Sequence, residues 1–175
     1  MVGLPRSGKS TLSRKLSKEL QAPIVSKDNI RLALHGKAYE TLAEPFVKAI
    51  SKVMVHSLFL SGHPIVIADE THYSRLARDF RADGPWTTLF FHVPTRAEVC
   101  IQRAIDTGQF YLLPVIKEMV ARWEPLEKDE QEWGGNLIAP AKSCETCAST
   151  ALDFIDKQIF HKNEHVWPGY AGETY

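Results

Sequence analysis

Residues 3–10 carry the most specific chemical signal in the sequence, a loop that could hold phosphate groups. Gly3-Leu4-Pro5-Arg6-Ser7-Gly8-Lys9-Ser10 fits the pattern G-x-x-x-x-G-K-[ST] at every fixed position. In such a loop the glycines let backbone N–H groups turn toward phosphate oxygens, the lysine reaches the terminal phosphates, and the hydroxyl ligates Mg²⁺. We therefore predict that ATP and Mg²⁺ bind here, with Ser10 as the metal ligand. The predicted nucleotide-binding residues are Gly3, Leu4, Pro5, Arg6, Ser7, Gly8, Lys9, Ser10 and Thr11.

Two charged residues after the second predicted strand could act on a phosphoryl acceptor. Asp28 follows the strand candidate 23–26, and the carboxyl ends of parallel strands face the ligand crevice. A kinase needs a group that takes the proton of the acceptor hydroxyl, so Asp28 could be that base. A helix N-cap is an equally good role for it. Arg31 lies one helical turn later and could bind a substrate phosphate, or it could be an ordinary surface arginine.

A second acidic residue, Asp69, follows the apolar run 65–68 at another strand end. It could hold the acceptor hydroxyl or order metal-bound water, and a turn or capping residue is the alternative. Arg103, in a later helix, is a candidate cation of a lid over the phosphates. Three arginines at helical spacing form a basic stripe that would lie along the edge of Asp69, although such stripes are usually solvated: Arg75, Arg78 and Arg81.

The apolar periodicity of the chain alternates between strands and helices. The strand candidates are 1–2, 23–26, 65–68, 88–93 and, as the weakest, 137–139. The helix candidates are 11–20, 46–60, 74–81, 95–106 and 115–123. Phe46, Ile50 and Val53 trace one face of the second helix, and Thr95 with Glu98 predicts a capping box at the fourth. The pattern predicts an α/β fold in which a parallel sheet of about five strands has helices on both faces.

Composition limits the class of protein. The 175 residues are 44% hydrophobic and 24% charged, which is typical of one ordinary globular domain rather than a disordered chain. The longest apolar runs, such as Pro64–Ala68, are too short to cross a bilayer, and the N-terminus shows no signal-peptide pattern. Three cysteines, an odd number, favour a reducing compartment. We expect a cytoplasmic protein without a membrane segment, in the host cytoplasm if the chain is viral.

The formal net charge of zero combines two unlike halves of the chain. Residues 1–100 carry 14 Lys and Arg against 9 Asp and Glu, a net +5, whereas residues 101–175 carry 7 against 12, a net −5. Such an asymmetry indicates a partner of one sign. It allows a nucleic-acid acceptor despite the neutral total.

From Val2 to about Glu127 these motifs resemble the kinase domain of polynucleotide 5′-kinases and the AAA-type small P-loop kinases around it. The resemblance implies an ATP-dependent kinase in which Asp28 is the general base and Arg31 binds a phosphate of the acceptor strand. The matching segments are Gly-Leu-Pro-x-Ser-Gly-Lys-Ser-Thr, Asp-x-x-Arg at Asp28 and Arg31, Asp69-Glu70-Thr71-His72 against the family's Asp-x-Thr-Asn, Val93 to Cys100 with Arg103, and the helix that ends in Glu124-Pro125.

Two features depart from that family. His72 replaces the usual Asn, and the predicted lid segment 106–111 has no basic residue, so phosphate clamping there falls to Arg103. Phe110-Tyr111 could stack a nucleic-acid base or pack in the core. The family's acceptors are 5′-hydroxyl ends of DNA or RNA, free small molecules, and hydroxymethylated bases in phage DNA.

A set of cysteine and histidine residues follows the acidic run 124–132. Cys144-x₂-Cys147-x₁₃-His161-x₃-His165 has the spacing of a Cys₂His₂ zinc site, which would act as a structural staple. The alternative is a single amphipathic helix from Ser143 in which the histidines are incidental. The core face of that helix would be Cys144, Ala148, Leu152, Ile155 and Ile159.

The sequence as a whole predicts a P-loop kinase core at 1–127 with a helical lid at about 103–124, and a C-terminal extension at 128–175 packed on the core. The predicted reaction moves the γ-phosphoryl group of ATP to a hydroxyl of a nucleic acid, with a polynucleotide 5′-hydroxyl as the leading acceptor. The predicted catalytic residues are Lys9, Asp28, Arg31, Asp69 and Arg103.

Three other functions fit the same residues. They are a kinase for a hydroxymethylated base in phage DNA, a small-molecule kinase for a nucleoside, sugar or antibiotic, and a non-catalytic ATP-dependent nucleic-acid-binding regulatory module. Salt-dependent binding to oligonucleotides separates the nucleic-acid functions from the small-molecule function. No pattern in the sequence indicates an oligomeric state.

Overall fold

The computed structural model describes residues 1–37, 39, 41–131, 136–138 and 144–155. Strands and helices alternate along the chain, as the periodicity predicts. The strands are β1 (Ile24–Ser26), β2 (Ile67–Asp69), β3 (Phe90–His92) and β4 (Asn136–Ile138). The helices are α1 (Lys9–Leu20), α2 (Lys27–His35), α3 (Glu44–Leu60), α4 (Arg75–Ala82), α5 (Ala97–Asp106), α6 (Leu112–Ala121) and α7 (Cys144–Ile155).

Two parallel strand pairs form the sheet. β1 pairs with β2 in a register that ends at Ser26 opposite Asp69, and β3 pairs with β4. β4 confirms the weakest strand prediction, because Asn136–Ile138 overlaps the run 137–139. Parallel strands separated by helices confirm the α/β class.

The first residues of the chain lie between the two pairs. Val2 forms a parallel bridge with His92 of β3, and the Met1 nitrogen donates to the Ala68 carbonyl of β2 at 2.9 Å. The order across the sheet is therefore β1, β2, residues 1–3, β3 and β4. This order places the phosphate-binding loop, which leaves at residue 3, at the carboxyl edge between β2 and β3.

Helices cover both faces of the sheet. Ile24 and Val25 are consecutive on β1, so their side chains point to opposite faces, and each belongs to a different core. On one face α1 and α7 pack on the central strands through Leu12, Leu16, Ile67, Phe91, Ala148, Ala151 and Ile155. On the other face α2 and α3 pack on β1 through Val25, Ile30, Val47 and Val55.

A third core joins α5 and α6 to the phosphate-binding loop. Cys100 and Ala104 of α5 and Ile116 of α6 are fully buried together with Leu4. α6 lies within the span 103–124 that the sequence predicts to be a lid. Because Leu4 belongs to this core, the packing of α5 and α6 also fixes the loop.

Two local predictions are wrong. Thr95 does not form a capping box, since the N-cap of α5 is Arg96 without a side-chain bond and the Thr95 hydroxyl instead donates to the Ser7 carbonyl at 2.8 Å. The face of α3 is also displaced: Phe46 and Val53 are exposed, and the buried residues are Val47, Ser51 and Val55. Apolar residues surround most of α3, so periodicity alone does not select its buried face.

The C-terminal extension contributes β4 to the sheet and α7 to the first core. Ala148 and Ile155 of α7 are buried and Leu152 packs against the same core, as the amphipathic-helix alternative predicts. Ala151, which that alternative does not include, is buried as well. His161 and His165 lie outside the described residues, so the zinc site stays a prediction, as does the division of the chain at residue 127. Within the described ranges, no helix combines the length and the apolar character needed to cross a bilayer.

Candidate active site

The phosphate-binding loop is built from backbone conformations that favour glycine. Gly3 has φ 150° and Gly8 has φ 108°, values that residues with a Cβ rarely adopt. A Cβ on Gly3 would lie 2.9 Å from both the Ser7 Oγ and the Val93 carbonyl oxygen. The loop therefore turns tightly between the carboxyl end of β3 and the N-terminus of α1.

Lys9 is buried at the centre of this loop. Its Nζ donates to the Leu4 carbonyl at 2.6 Å. Burial lowers the pKa of Lys9 to about 8, although the charges of Asp69 and Asp28 raise it. The charges of Asp69 and Asp28 thus reach the lysine of the loop, and the catalytic roles of these three residues stay predictions.

Arg103 contacts the outside of the loop. Its Nη1 donates to the Arg6 carbonyl at 3.1 Å and to the Ser7 carbonyl at 3.3 Å, and the Arg6 Nη2 returns a bond to the Arg103 carbonyl. With the Thr95 hydroxyl, these contacts connect α5 to the tip of the loop. The structure therefore places Arg103 beside the nucleotide-binding residues, and its role as a phosphate clamp stays a prediction.

The residues present fit a nucleotide phosphate and Mg²⁺. The Ser7 Oγ is buried and has no hydrogen-bond partner among the described residues, and the turn at Gly3 leaves no room for a Cβ. Ser10 and Thr11 are exposed in the first turn of α1, where backbone N–H groups favour anions. The described part of the chain has no cluster of three or more His, Cys, Asp or Glu suited to a metal, so a Mg²⁺ would use the Ser10 hydroxyl and phosphate oxygens.

Asp28 is not a helix cap. The N-cap of α2 is Ser26, and Asp28 lies in the first helical turn with a side chain that is 79% exposed. Its Oδ1 accepts a bond from the Arg31 Nη1 at 2.5 Å. The capping alternative therefore fails, and the carboxylate stands at the carboxyl end of β1 where an acceptor could approach.

Arg31 is held by two carboxylates rather than left open for a substrate phosphate. Its Nε and Nη2 donate to the two oxygens of Glu44 at 2.6 Å and 2.7 Å, in addition to the bond with Asp28. Hydrogen bonds to Glu44 raise the pKa of Arg31. Two carboxylates and one guanidinium leave this cluster with a net charge of −1.

Glu70 forms a buried network directly beside Asp69. Its carboxylate contacts the Lys27 Nζ at 2.8 Å, the Ser51 hydroxyl at 2.6 Å and the guanidinium of Arg81. Burial alone would raise the pKa of Glu70, but His72, Arg81 and Lys27 hold it well below its usual range. The network joins α2, α3 and α4 to the segment that follows β2, next to Asp69.

His72, which stands where the resembling family has Asn, belongs to the same network. It has φ 47°, is buried, and its Nδ1 lies 2.8 Å from the Met1 carbonyl oxygen. Since a carbonyl only accepts, the Nδ1 carries a proton. The Nε2 lies 3.1 Å from the Glu70 carboxylate, and burial lowers the pKa of His72 while Glu70 opposes that shift.

The basic stripe does not line an open edge. The Arg78 and Glu130 side chains are both 0% exposed, with Nε to Oε1 at 2.5 Å. The Arg78 guanidinium also donates to the carbonyls of His72, Glu124 and Pro125 at 2.9–3.2 Å. The expectation of a solvated or ligand-facing arginine is wrong here, because Arg78 joins α4 to the acidic segment 124–131.

The neighbouring arginines are paired as well. Arg75 bonds Asp79 and Asp129, both at 2.7 Å, and Arg81 bonds Ser51 at 2.7 Å in addition to Glu70. The acidic run that follows the lid therefore packs on the arginines of α4. Part of the charge asymmetry between the two halves of the chain is thus neutralised inside the molecule.

The aromatic pair at the end of α5 is exposed. Phe110 is 60% exposed and Tyr111 is 55% exposed, so the core-packing alternative fails for both. The pair follows the turn that ends α5, whose residue Arg103 contacts the loop. An exposed aromatic pair at this position could contact a planar ligand.

Sequence reasoning missed three carboxylates: Glu44, Glu70 and Glu130. Glu44 lies 13 residues from Arg31 and Glu130 lies 52 residues from Arg78, so no local spacing connects them. Glu70 stands in the quoted segment Asp69-Glu70-Thr71-His72, but an acidic residue at a strand end gives no sign of being buried.

Comparison with known proteins agrees with this geometry. A family model described as an AAA domain matches residues 1–104, more than half of the chain. No curated protein sequence matches the chain.

Two solved structures are similar across most of the chain. An unliganded sugar kinase from Janibacter sp. HTCC2649 has a TM-score of 0.68 at 22% identity and covers 89% of this chain and 91% of its own. A gluconokinase from Sinorhizobium meliloti 1021 has a TM-score of 0.62 at 17% identity, with 92% of each chain covered. Neither is a polynucleotide kinase, so the resemblance holds for small P-loop kinases in general.

Proposed function

Because the chain belongs to the AAA domain family of P-loop kinases, we propose that it transfers the γ-phosphoryl group of ATP to a hydroxyl of a small, uncharged molecule with several hydroxyls. The names of the two similar structures, a sugar kinase and a gluconokinase, support a sugar-like acceptor. We call the surroundings of Asp28 and Asp69 the acceptor side. The lysine and arginine there are paired with carboxylates, which supports an uncharged acceptor. This proposal replaces the nucleic acid as the leading acceptor.

One observation carries the choice of acceptor: the cations on the acceptor side are already paired with carboxylates. Arg31 is bound by Glu44 and Asp28, and Lys27 is bound by Glu70. A nucleic acid binds chiefly through lysine and arginine contacts to its phosphates. It would have to displace these carboxylates, whereas a neutral acceptor would leave every pair intact.

The nucleotide side supplies binding and charge stabilisation. Residues 3–11 would hold the phosphates through backbone N–H groups, and the Lys9 ammonium would balance charge on the terminal phosphates. Mg²⁺ held through Ser10 supplies further neutralisation of the phosphate charge. The contacts of Arg103 and Thr95 hold the loop in this conformation.

The acceptor side supplies the base. Arg31 occupies the Oδ1 of Asp28, which leaves Oδ2 to take the proton of the acceptor hydroxyl. Asp69, at the end of the neighbouring strand, would orient the hydroxyl through a hydrogen bond.

A nucleic-acid acceptor is the second candidate, and one observation favours it. Phe110 and Tyr111 are exposed aromatic side chains of the kind on which single-stranded bases stack.

A labelling panel tests the proposal. Terminally labelled ATP is offered with neutral sugars and polyols, the corresponding sugar acids, nucleosides, 5′-hydroxyl DNA and RNA, and hydroxymethyl-pyrimidine DNA. We expect label on a sugar or polyol, and none when the Asp28→Asn variant is used. Label on an oligonucleotide alone would contradict the proposal, and ATP binding with no labelled acceptor would indicate a regulatory module.

A further inference from the structure

Glu70 connects the two strand ends that carry the acceptor-side carboxylates. The register of β1 and β2 ends at Ser26 opposite Asp69. Immediately after each strand, the Lys27 Nζ and the Glu70 carboxylate form an ion pair at 2.8 Å. The pair therefore links the two segments that leave the strand ends, and its sequence neighbours are Asp28 and Asp69.

Glu70 is itself held on every side. The Ser51 hydroxyl of α3 donates to it at 2.6 Å, the Arg81 guanidinium of α4 contacts it, and the His72 ring lies 3.1 Å away. Its side chain is only 3% exposed. A buried carboxylate in a satisfied hydrogen-bond network is held rigidly, so it can hold a flexible lysine in one place.

We propose that Glu70 is a positioning residue that, through Lys27, sets the separation of Asp28 and Asp69 at the acceptor side. The inference rests on the proposed function, because these two carboxylates are its base and its orienting group. The Asp28 side chain is exposed, and in the described part of the chain it is bound by Arg31 of the same helix. Displacing a catalytic group by about 1 Å can reduce the rate roughly 100-fold.

Two variants test the proposal at the two ends of the pair. Glu70→Asp keeps the charge but shortens the reach by one methylene, and Lys27→Met keeps an unbranched side chain but removes the charged group. We expect kcat to fall about 10- to 100-fold in both, with the KM for ATP changed less than twofold because residues 3–11 are untouched. Lys52→Met is the matched control, since it breaks the Lys52–Asp83 pair of 2.6 Å away from the site, and its kcat should equal that of the wild type.

The split between kcat and KM separates positioning from a structural role. A merely structural role of Glu70 would lower the melting temperature of Glu70→Asp without lowering the kcat of the folded enzyme.

The outcomes separate the inference from the proposed function. Kinetics use the acceptor that the labelling panel ranks first, or water as the acceptor in ATP hydrolysis if the panel ranks none. If Lys27→Met folds and keeps the wild-type kcat, the positioning role of Glu70 is wrong. If Glu70→Asp does not fold, the kcat of Lys27→Met is the deciding measurement. A panel without any labelled acceptor overturns the proposed function, and the kcat of ATP hydrolysis in Lys27→Met then supports or overturns the positioning role.

Discussion

The nucleotide side and the acceptor side of this site are built in different ways. The nucleotide side is a single stretch, residues 3–11, in which backbone groups and one buried lysine surround the place for phosphate. The acceptor side is assembled from β1, β2, α2, α3 and α4, and its cations are bound to carboxylates that are distant in sequence. A lysine or arginine side chain is therefore a candidate ligand-binding group only where no carboxylate of the same chain already binds it.

The arginines of α4 show the consequence for charge arguments. Counted along the sequence, they add to a basic half that suggests a polyanionic partner. In the structure Arg75 and Arg78 are bound by residues of the acidic segment 124–131. The separation into +5 and −5 thus describes, in part, two surfaces of one chain that contact each other.

The largest expected effect tests whether the acceptor side contains the base. Asp28→Asn should lower kcat by about 10²- to 10⁴-fold, because the amide cannot take the hydroxyl proton. The KM for ATP should change little. Asp83→Asn, which alters an exposed acid away from the site, is the control in steady-state kinetics. Wild-type turnover in Asp28→Asn would show that Asp28 is not the base.

The next effect tests whether Arg78 is structural rather than ligand-binding. Arg78→Met leaves Glu130 buried without its partner, which should cost about 3–5 kcal/mol of unfolding free energy. The double variant Arg78→Met/Glu130→Met should recover most of this loss, because two apolar side chains replace the pair. Denaturant unfolding measures both. Equal stability of the wild type and the single variant is incompatible with a buried pair.

A smaller effect tests the link between pairing and acceptor class. Glu44→Gln removes a charge that binds Arg31, and the guanidinium then becomes available to an anion. The ratio of kcat/KM for a sugar acid to kcat/KM for its neutral analogue should rise about tenfold, since a hydrogen bond to a charged group contributes about 1.5 kcal/mol. Glu98→Gln, an exposed acid on α5, is the control. An unchanged ratio of the two kcat/KM values would show that Arg31 does not determine which acceptor is used.

The smallest effect concerns the nucleotide side. With its pKa lowered to about 8, Lys9 loses its proton as the pH rises through that value, and the free enzyme then lacks the charge that attracts phosphate. We expect kcat/KM for ATP to fall above about pH 8. The kcat should fall only at higher pH, because bound phosphates raise the pKa of Lys9. Parallel profiles for both parameters would show that Lys9 does not titrate in this range.

A feature can be predicted from the sequence when the residues that form it lie close together along the chain. The loop at Gly3–Ser10 is correct because all its fixed positions lie within eight residues, and Asp28 and Asp69 are placed correctly because parallel strands align their carboxyl ends. Thr95 fails because its hydroxyl bonds a carbonyl 88 residues away. The pairing of Arg31 is not visible in the sequence because Glu44 comes from another helix, and the role of Arg31 as a phosphate ligand stays a prediction.

The acceptor class was hardest to predict for the same reason. Neither the buried position of Glu70 nor the pairing of Arg78 with Glu130 leaves a local pattern in the sequence. Both depend on how α3, α4 and the segment 124–131 pack against one another. Apolar periodicity describes single helices and strands and does not predict contacts between elements that are distant in the chain. The family match identifies a P-loop kinase, and the pairing of charges supports the proposed uncharged acceptor.

The most direct test of the central claim compares two acceptors at low salt. At about 50 mM salt, where contacts to phosphates are strong, kcat/KM is measured for a neutral sugar or polyol from the panel and for a 5′-hydroxyl oligonucleotide. The acceptor side described here predicts at least a tenfold advantage, roughly 1.4 kcal/mol, for the neutral acceptor. An advantage for the oligonucleotide under these conditions would contradict the account, because it would mean that the paired cations still bind a polyanion.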